Sequence, residues 1–104
     1  MYNAPRRISQ MRARAIMRAN PDAIILDVRT YREYCEERIP GAILLPEERV
    51  VDLAADVIPN KNALILTYCQ GGTRSKSAAS SLSAMGYTNV YDIGGIKTWP
   101  YERE

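Results

Sequence analysis

A chain of 104 residues has the length of one small domain with one core, and residues 1–104 are read as a single domain. Hydrophobic residues at 46% and charged residues at 25% match ordinary globular proteins, which excludes disordered, collagen-like and coiled-coil chains. The formal net charge of +2 comes with no histidine, so His triads, His metal sites and His acid–base catalysis are excluded together.

In chain order, residues 1–20 carry Arg6, Arg7, Arg12, Arg14 and Arg18 and no acid, which leaves the remainder of the chain negative. Such a segment is open to three readings: an organelle transit peptide, a surface for nucleic acid or an acidic partner, or a solvated helix face. We take the solvated face, and expect no nucleic-acid binding, because the basic residues lack interleaved aromatics or a binding module. Ser9 is placed to cap a helix from Gln10 to about Ala19, with Met11, Ala15 and Ile16 or Ala19 on one side and the arginines on the other.

Asn20-Pro21-Asp22 ends that helix, and Ala23 to Val28 reads as a short strand buried on both faces, interrupted by Asp27. Thr30 with Glu33 three residues on predicts a capping box and a short helix to about Glu37. Pro40-Gly41 punctuates, Ala42 to Leu45 is a second apolar run, and Glu47 to Ile58 is a helical pattern led by acids. After the loop Pro59 to Asn62, Ala63 to Tyr68 is the clearest strand. It runs into Cys69-Gln70-Gly71-Gly72-Thr73-Arg74, and a helix from Ser75 to about Met85 follows, with Gly86 as its left-handed cap. Val90 to Ile93 is a last short strand. Strands alternating with helices predict an α/β domain with a parallel sheet covered on both faces. The apolar runs fall far short of the roughly 20 residues that cross a bilayer, so no membrane partner is expected. Two cysteines and no secretory h-region point to a reducing compartment, taken as the cytoplasm.

The stretch that carries chemistry is Tyr68 to Ser75, which sets a cysteine at the carboxyl end of a buried strand and before a helix N-terminus. Ligands of open α/β sheets gather there, and a helix start offers unpaired N–H groups and partial positive charge. Gly71 and Gly72 let the chain curl so that amides converge on the Cys69 sulfur, and Arg74 adds a full charge. All of this favours a thiolate and makes Cys69 a nucleophile. Reading Cys69 as an ordinary buried apolar residue leaves the glycine pair, the arginine and the helix start unexplained.

The residues in this order resemble the rhodanese, or sulfurtransferase, family. Ile8-Ser9, Leu26-Asp27-Val28-Arg29 with Glu33-Tyr34, Ile39-Pro40-Gly41-Ala42, Cys69 to Ser75, Gly86-Tyr87 with Asn89-Val90-Tyr91, and Gly94-Gly95 followed by Trp99 all look like its landmarks. One departure is Arg38, where the family commonly has histidine; it flanks the turn rather than the cysteine loop. The resemblance implies a five-stranded parallel sheet with helices on both faces and a catalytic cysteine that carries sulfane sulfur as a persulfide.

Four residues separate Cys69 from Arg74, whereas the phosphatases and arsenate reductases that resemble rhodaneses have five. A tighter ring of amides suits the terminal sulfur of a persulfide, and a wider one a tetrahedral oxyanion. Cys69 and Arg74 are therefore the expected catalytic residues. Gln70, Gly71, Gly72, Thr73 and Ser75 are the expected substrate-binding residues, with a further positive charge from Lys76. The chemistry needs no metal and no organic cofactor. Its partners are a small sulfur-containing anion or persulfide donor and cyanide, a small thiol or a protein thiol as acceptor. A phosphatase, an arsenate reductase and a non-catalytic interaction module remain as alternatives, and the oligomeric state is open. Asp27 and Arg29 read as a structural charge set with Glu33. Cys35 reads as packing beside Tyr31 and Tyr34, with a resolving thiol as the other reading, and Trp99 seals the core.

Overall fold

The computed structural model describes residues 4–104, so residues 1–3 of the expected 1–104 domain lie outside the described residues. Its strands are β1 (Arg6–Arg7), β2 (Ile24–Asp27), β3 (Ile43–Leu44), β4 (Ile65–Cys69) and β5 (Val90–Gly95). They form one sheet in the order β1-β5-β4-β2-β3, with every neighbouring pair parallel. The central strand β4 is buried at all five positions, which accounts for its mostly apolar character on two faces; the hydroxyl of Thr67 donates to the Ser75 carbonyl.

Successive side chains of β4 point to opposite sides of the sheet, so two cores result. On one side Ile65 and Cys69 join Leu26, Val50 and Ala54, together with Ala78 and Leu82, beneath α3 (Val50–Val57) and α4 (Thr73–Ala84). On the other, Leu66 and Tyr68 join Ala13, Ile39, Ile93 and Trp99 beneath α1 (Gln10–Ala19), with Tyr34 of α2 (Tyr31–Glu36) packed against them. Trp99 is buried and meets Tyr101 edge-on at 5.0 Å, as expected of a residue that closes the core. Leu66 is fully buried, and its truncation to alanine costs about 2–5 kcal/mol.

The local signals hold at the caps. Ser9 accepts from the Arg12 amide, and Thr30 with Glu33 forms the capping box. Gly86, at φ 101°, follows α4 in the left-handed region. Three details differ from the sequence reading. The inward side of α1 is Ala13, Ile16 and Met17, whereas Met11 is 74% exposed and Ala15 and Ala19 are also exposed. The acid-led segment opens as a 3-10 turn, Glu47–Arg49, before α3. The fifth strand is Arg6–Arg7, which pairs with Tyr91 and Asp92 of β5; these two arginines thus belong to the sheet edge and not to a helix face.

The ladder between β4 and β5 contains a bulge: Thr67 pairs with Asp92, but Cys69 pairs with Gly95, one residue further on than regular pairing allows. Gly94, at φ 85°, absorbs the extra residue. Gly95 then lies so close to the turn after β4 that a Cβ there would overlap the Gln70 carbonyl. The bulge brings Asp92 and the Gly94 carbonyl to the Ser75 hydroxyl at the start of α4.

Candidate active site

Cys69 ends β4 and is only 1% exposed. The chain leaves the strand through Gln70 and Gly71 and turns at Gly72, whose φ of 105° places its N–H toward the sulfur. Gly72 N–H donates to Cys69 Sγ at 3.0 Å and Ser75 N–H donates at 3.3 Å. α4 has Gly72 as its N-cap and no side-chain cap, so the cysteine sulfur takes the place that a serine or aspartate oxygen usually fills. An anion on sulfur is stabilised there by two amides and by the positive end of a twelve-residue helix. The Ser75 hydroxyl lies 3.5 Å from Sγ on the buried side.

The other expected site residues are placed as follows. Gln70 turns its side-chain oxygen to the Arg29 guanidinium at 3.2 Å and its carbonyl to the Lys97 amide at 3.1 Å. Gly71 is exposed with open space around it, and Thr73 is exposed at the first turn of α4. Arg74 does not turn its fork to the sulfur: it makes a bidentate pair with Glu33 at 2.8 and 3.0 Å, a third of its side chain exposed at the rim. That pair, helped by the Thr30 amide and hydroxyl, lowers Glu33 from 4.5 to about 2, and holds Arg74 firmly in its charged form. Glu33 thereby partners Arg74 and not the Asp27–Arg29 pair, contrary to the sequence reading.

Asp27 and Arg29 form a buried ion pair with each other. Both are buried, and Arg29 donates to both carboxylate oxygens of Asp27 at 2.7 to 3.1 Å and to the Glu37 carbonyl at 2.6 Å. The Tyr68 hydroxyl donates to Asp27 at 2.6 Å and accepts from the Ile39 amide; burial, then Asp27, pushes its phenol well above the usual range. Every polar atom of the set thus has a partner, the condition under which a buried charge is tolerated. Cys35 is free and exposed on α2, beside Tyr31 and outside the core.

Sequence reasoning missed three contributors. Arg7 donates from β1 to Asp92 at 2.8 Å and to the Gly72 carbonyl at 2.7 Å. Asp92 accepts from Ser75 at 2.8 Å and from the Gly94 amide at 3.0 Å. Gln10 donates to the carbonyls of Ile93 and Gly95, fixing the bulge from α1. The Gly94-Gly95 pair signals a close backbone approach, but nothing local to Arg7 or Gln10 announces a partner more than 60 residues away. Arg7 also lines two open grooves beside the loop. One, of about 510 Å³, runs past Arg6, Lys76, Ser80 and Asp92; the other, of about 460 Å³, runs past Ser9, Gly71, Gly94 and Thr98.

The model of the family described as the Rhodanese-like domain matches residues 10–101. The thiosulfate sulfurtransferase PspE of Escherichia coli (strain K12) is 40% identical over 72 residues, which cover 69% of each chain. A tRNA uridine(34) hydroxylase of Erwinia tasmaniensis is 34% identical over 82 residues, covering 74% of this chain but only 23% of the hydroxylase. Among solved structures, a rhodanese with anions from E. coli superposes with a TM-score of 0.74 at 35% identity, covering 79% of this chain and 96% of the other.

Proposed function

Because the chain belongs to the rhodanese-like domain family, we propose that it is a single-domain sulfurtransferase in which Cys69 carries sulfane sulfur as a persulfide. The observation that carries the reading is the pair of amides, Gly72 and Ser75, directed at a sulfur that sits at a helix start. These donors do not distinguish a thiolate from a persulfide, both of which are anions, and so serve both resting states of a double displacement.

In the first step the Cys69 thiolate attacks the outer sulfur of thiosulfate. A sulfur–sulfur bond forms to Cys69, the bond to the sulfonate sulfur breaks with its electron pair, and sulfite leaves. In the second step an acceptor, cyanide or a thiolate, attacks the terminal sulfur and returns Cys69 as thiolate. With cyanide the product is thiocyanate. Neither step needs a proton relay, which suits a chain without histidine. Arg74 and Lys76 supply positive charge at the rim and draw a small anion toward the loop, with Glu33 fixing the direction of Arg74. Gln70, Gly71 and Thr73 form the mouth through which the donor reaches the sulfur. A reducing compartment, as in the cytoplasm, suits two free thiols.

Thiocyanate formation from thiosulfate and cyanide tests the reading, run beside hydrolysis of an aryl phosphate. Turnover of the first and none of the second is expected. Phosphate release with no thiocyanate would transfer the site to the phosphatase alternative.

A further inference from the structure

The Ser75 hydroxyl has one hydrogen and four neighbours that accept or share it: Asp92 Oδ1 at 2.8 Å, the Gly72 and Gly94 carbonyls at 3.2 Å each, and Cys69 Sγ at 3.5 Å. We propose that Arg7 and Asp92 are positioning residues for Cys69. Asp92 orients the Ser75 hydroxyl against the sulfur, and Arg7, reaching in from the sheet edge, cancels the carboxylate charge that this arrangement places beside the nucleophile.

While Cys69 is a thiol, the nearest and only charged acceptor takes the hydroxyl hydrogen, so Ser75 donates to Asp92 and accepts the thiol hydrogen. Once Cys69 is a thiolate, oxygen lone pairs facing it are repulsive, and the hydroxyl must rotate to donate to Sγ. Asp92 tolerates that loss, because Oδ1 keeps the Gly94 amide at 3.0 Å and Oδ2 keeps Arg7 at 2.8 Å. The thiol S–H bond breaks with its electron pair left on sulfur and the proton passes to solvent; no other covalent bond to carbon or sulfur is made or broken, and the Ser75 hydroxyl hydrogen changes its acceptor. Asp92 is 3% exposed, so without Arg7 its charge acts on the sulfur through a poorly screening interior. Arg7 also donates to the Gly72 carbonyl, on the residue whose amide bonds the sulfur, and its guanidinium lies 3.2 Å from where a Gly72 Cβ would stand. Of the other charges about the loop, Arg74 pairs with Glu33 and Arg29 with Asp27, while Arg6 and Lys76 line the groove beside Asp92 without an ion pair of their own among the described residues.

Opposite charges then predict opposite signs, which a brace that merely held the loop together would not give. The test is the rate of Cys69 alkylation by iodoacetamide at neutral pH, in a Cys35→Ser background, with folding checked by circular dichroism. It reads the nucleophile alone, so it succeeds or fails independently of sulfur transfer. Arg7→Met should slow alkylation about tenfold, a coupling within the range measured for charge networks. Asp92→Asn should raise the rate about threefold, the double variant should be faster than Arg7→Met, and Arg7→Lys should recover most of the rate that Arg7→Met loses. A rate that Asp92→Asn fails to raise, or that Arg7→Met fails to lower, overturns the proposal. Should Arg7→Met fail to fold, the sign of Asp92→Asn decides.

Discussion

The two cysteines are the same side chain at two addresses. Cys35 stands on the outer face of a six-residue helix, in solvent, with its own backbone amide committed to the helix. Cys69 stands where a buried strand meets an uncapped helix start, and two amides, a hydroxyl and a bulged neighbour strand converge on it. The difference lies in backbone placement: at Cys69 the helix start directs otherwise unpaired N–H groups at the sulfur, and glycine at Gly72 is the residue that lets the chain turn them inward.

The sharpest way to break that contrast is to exchange sulfur for oxygen at each address. Cys69→Ser should abolish thiocyanate formation with the circular dichroism spectrum unchanged, because an alkoxide is not accessible at neutral pH. Cys35→Ser should retain most of the activity. Loss of activity in a folded Cys35→Ser variant would restore the resolving-thiol reading.

Next in size are changes to the ring itself. One glycine inserted between Gly72 and Thr73 widens the cradle. It should reduce thiocyanate turnover by at least about tenfold while making phosphate a better inhibitor, since the ring then encloses a larger anion. Equal turnover and equal inhibition in that variant would remove the loop-length argument. Gly72→Ala keeps the ring size but forces an L side chain to φ 105° and sets its Cβ 3.2 Å from the Arg7 guanidinium. The backbone cost alone is about 1–2 kcal/mol, visible as a lower urea midpoint, and the displaced amide should cost activity as well.

A smaller effect belongs to the rim. Glu33 is depressed to about 2 from 4.5, first by Arg74, so it is ionised in the folded protein where the unfolded chain still binds a proton. Its contribution to stability is therefore complete above about pH 4.5 and is lost as pH falls from there toward 2. Urea unfolding of Glu33→Gln should show a deficit at neutral pH of about 1 kcal/mol, the scale of a capping contact and a partly exposed ion pair. That deficit should close on acidification through the same window. A constant deficit would show that the carboxylate charge is not what Arg74 and Thr30 recognise. The smallest effect is expected at α1, where Arg12, Arg14 and Arg18 changed together to Gln should leave cyanide turnover within about threefold. Arg14 pairs with Glu102 and lies over the Tyr101 ring, which accounts for a slight loss of stability and none of chemistry.

Legibility in the sequence follows the range of the interactions. Ser9 and Thr30 act on amides three residues away, so their helix starts were readable from local pattern alone, as was the strand into Cys69. The two-residue strand Arg6–Arg7 has neither apolar character nor period, and only its partner β5 makes it a strand. The inward side of α1 departs from the apolar pattern because small Ala13 is fully buried while the larger Met11 is exposed. At the site, the loop and its amides were legible, since Gly72, Ser75 and Cys69 are neighbours in sequence. The partners of Arg74 and Ser75 were not. Glu33 lies 41 residues before Arg74, and Asp92 reaches Ser75 only because the bulge at Gly94 turns β5 over the helix start.

If its address makes Cys69 the sulfur carrier, the added sulfur must be found there. Intact-mass and peptide mass spectrometry after incubation with thiosulfate, without reductant, tests it most directly. The expected result is a gain of one sulfur atom, about 32 Da, mapped to the peptide containing Cys69, absent from the one containing Cys35 and discharged by cyanide. A protein that turns over thiosulfate and cyanide yet bears the added sulfur on Cys35, or on neither cysteine, would contradict it.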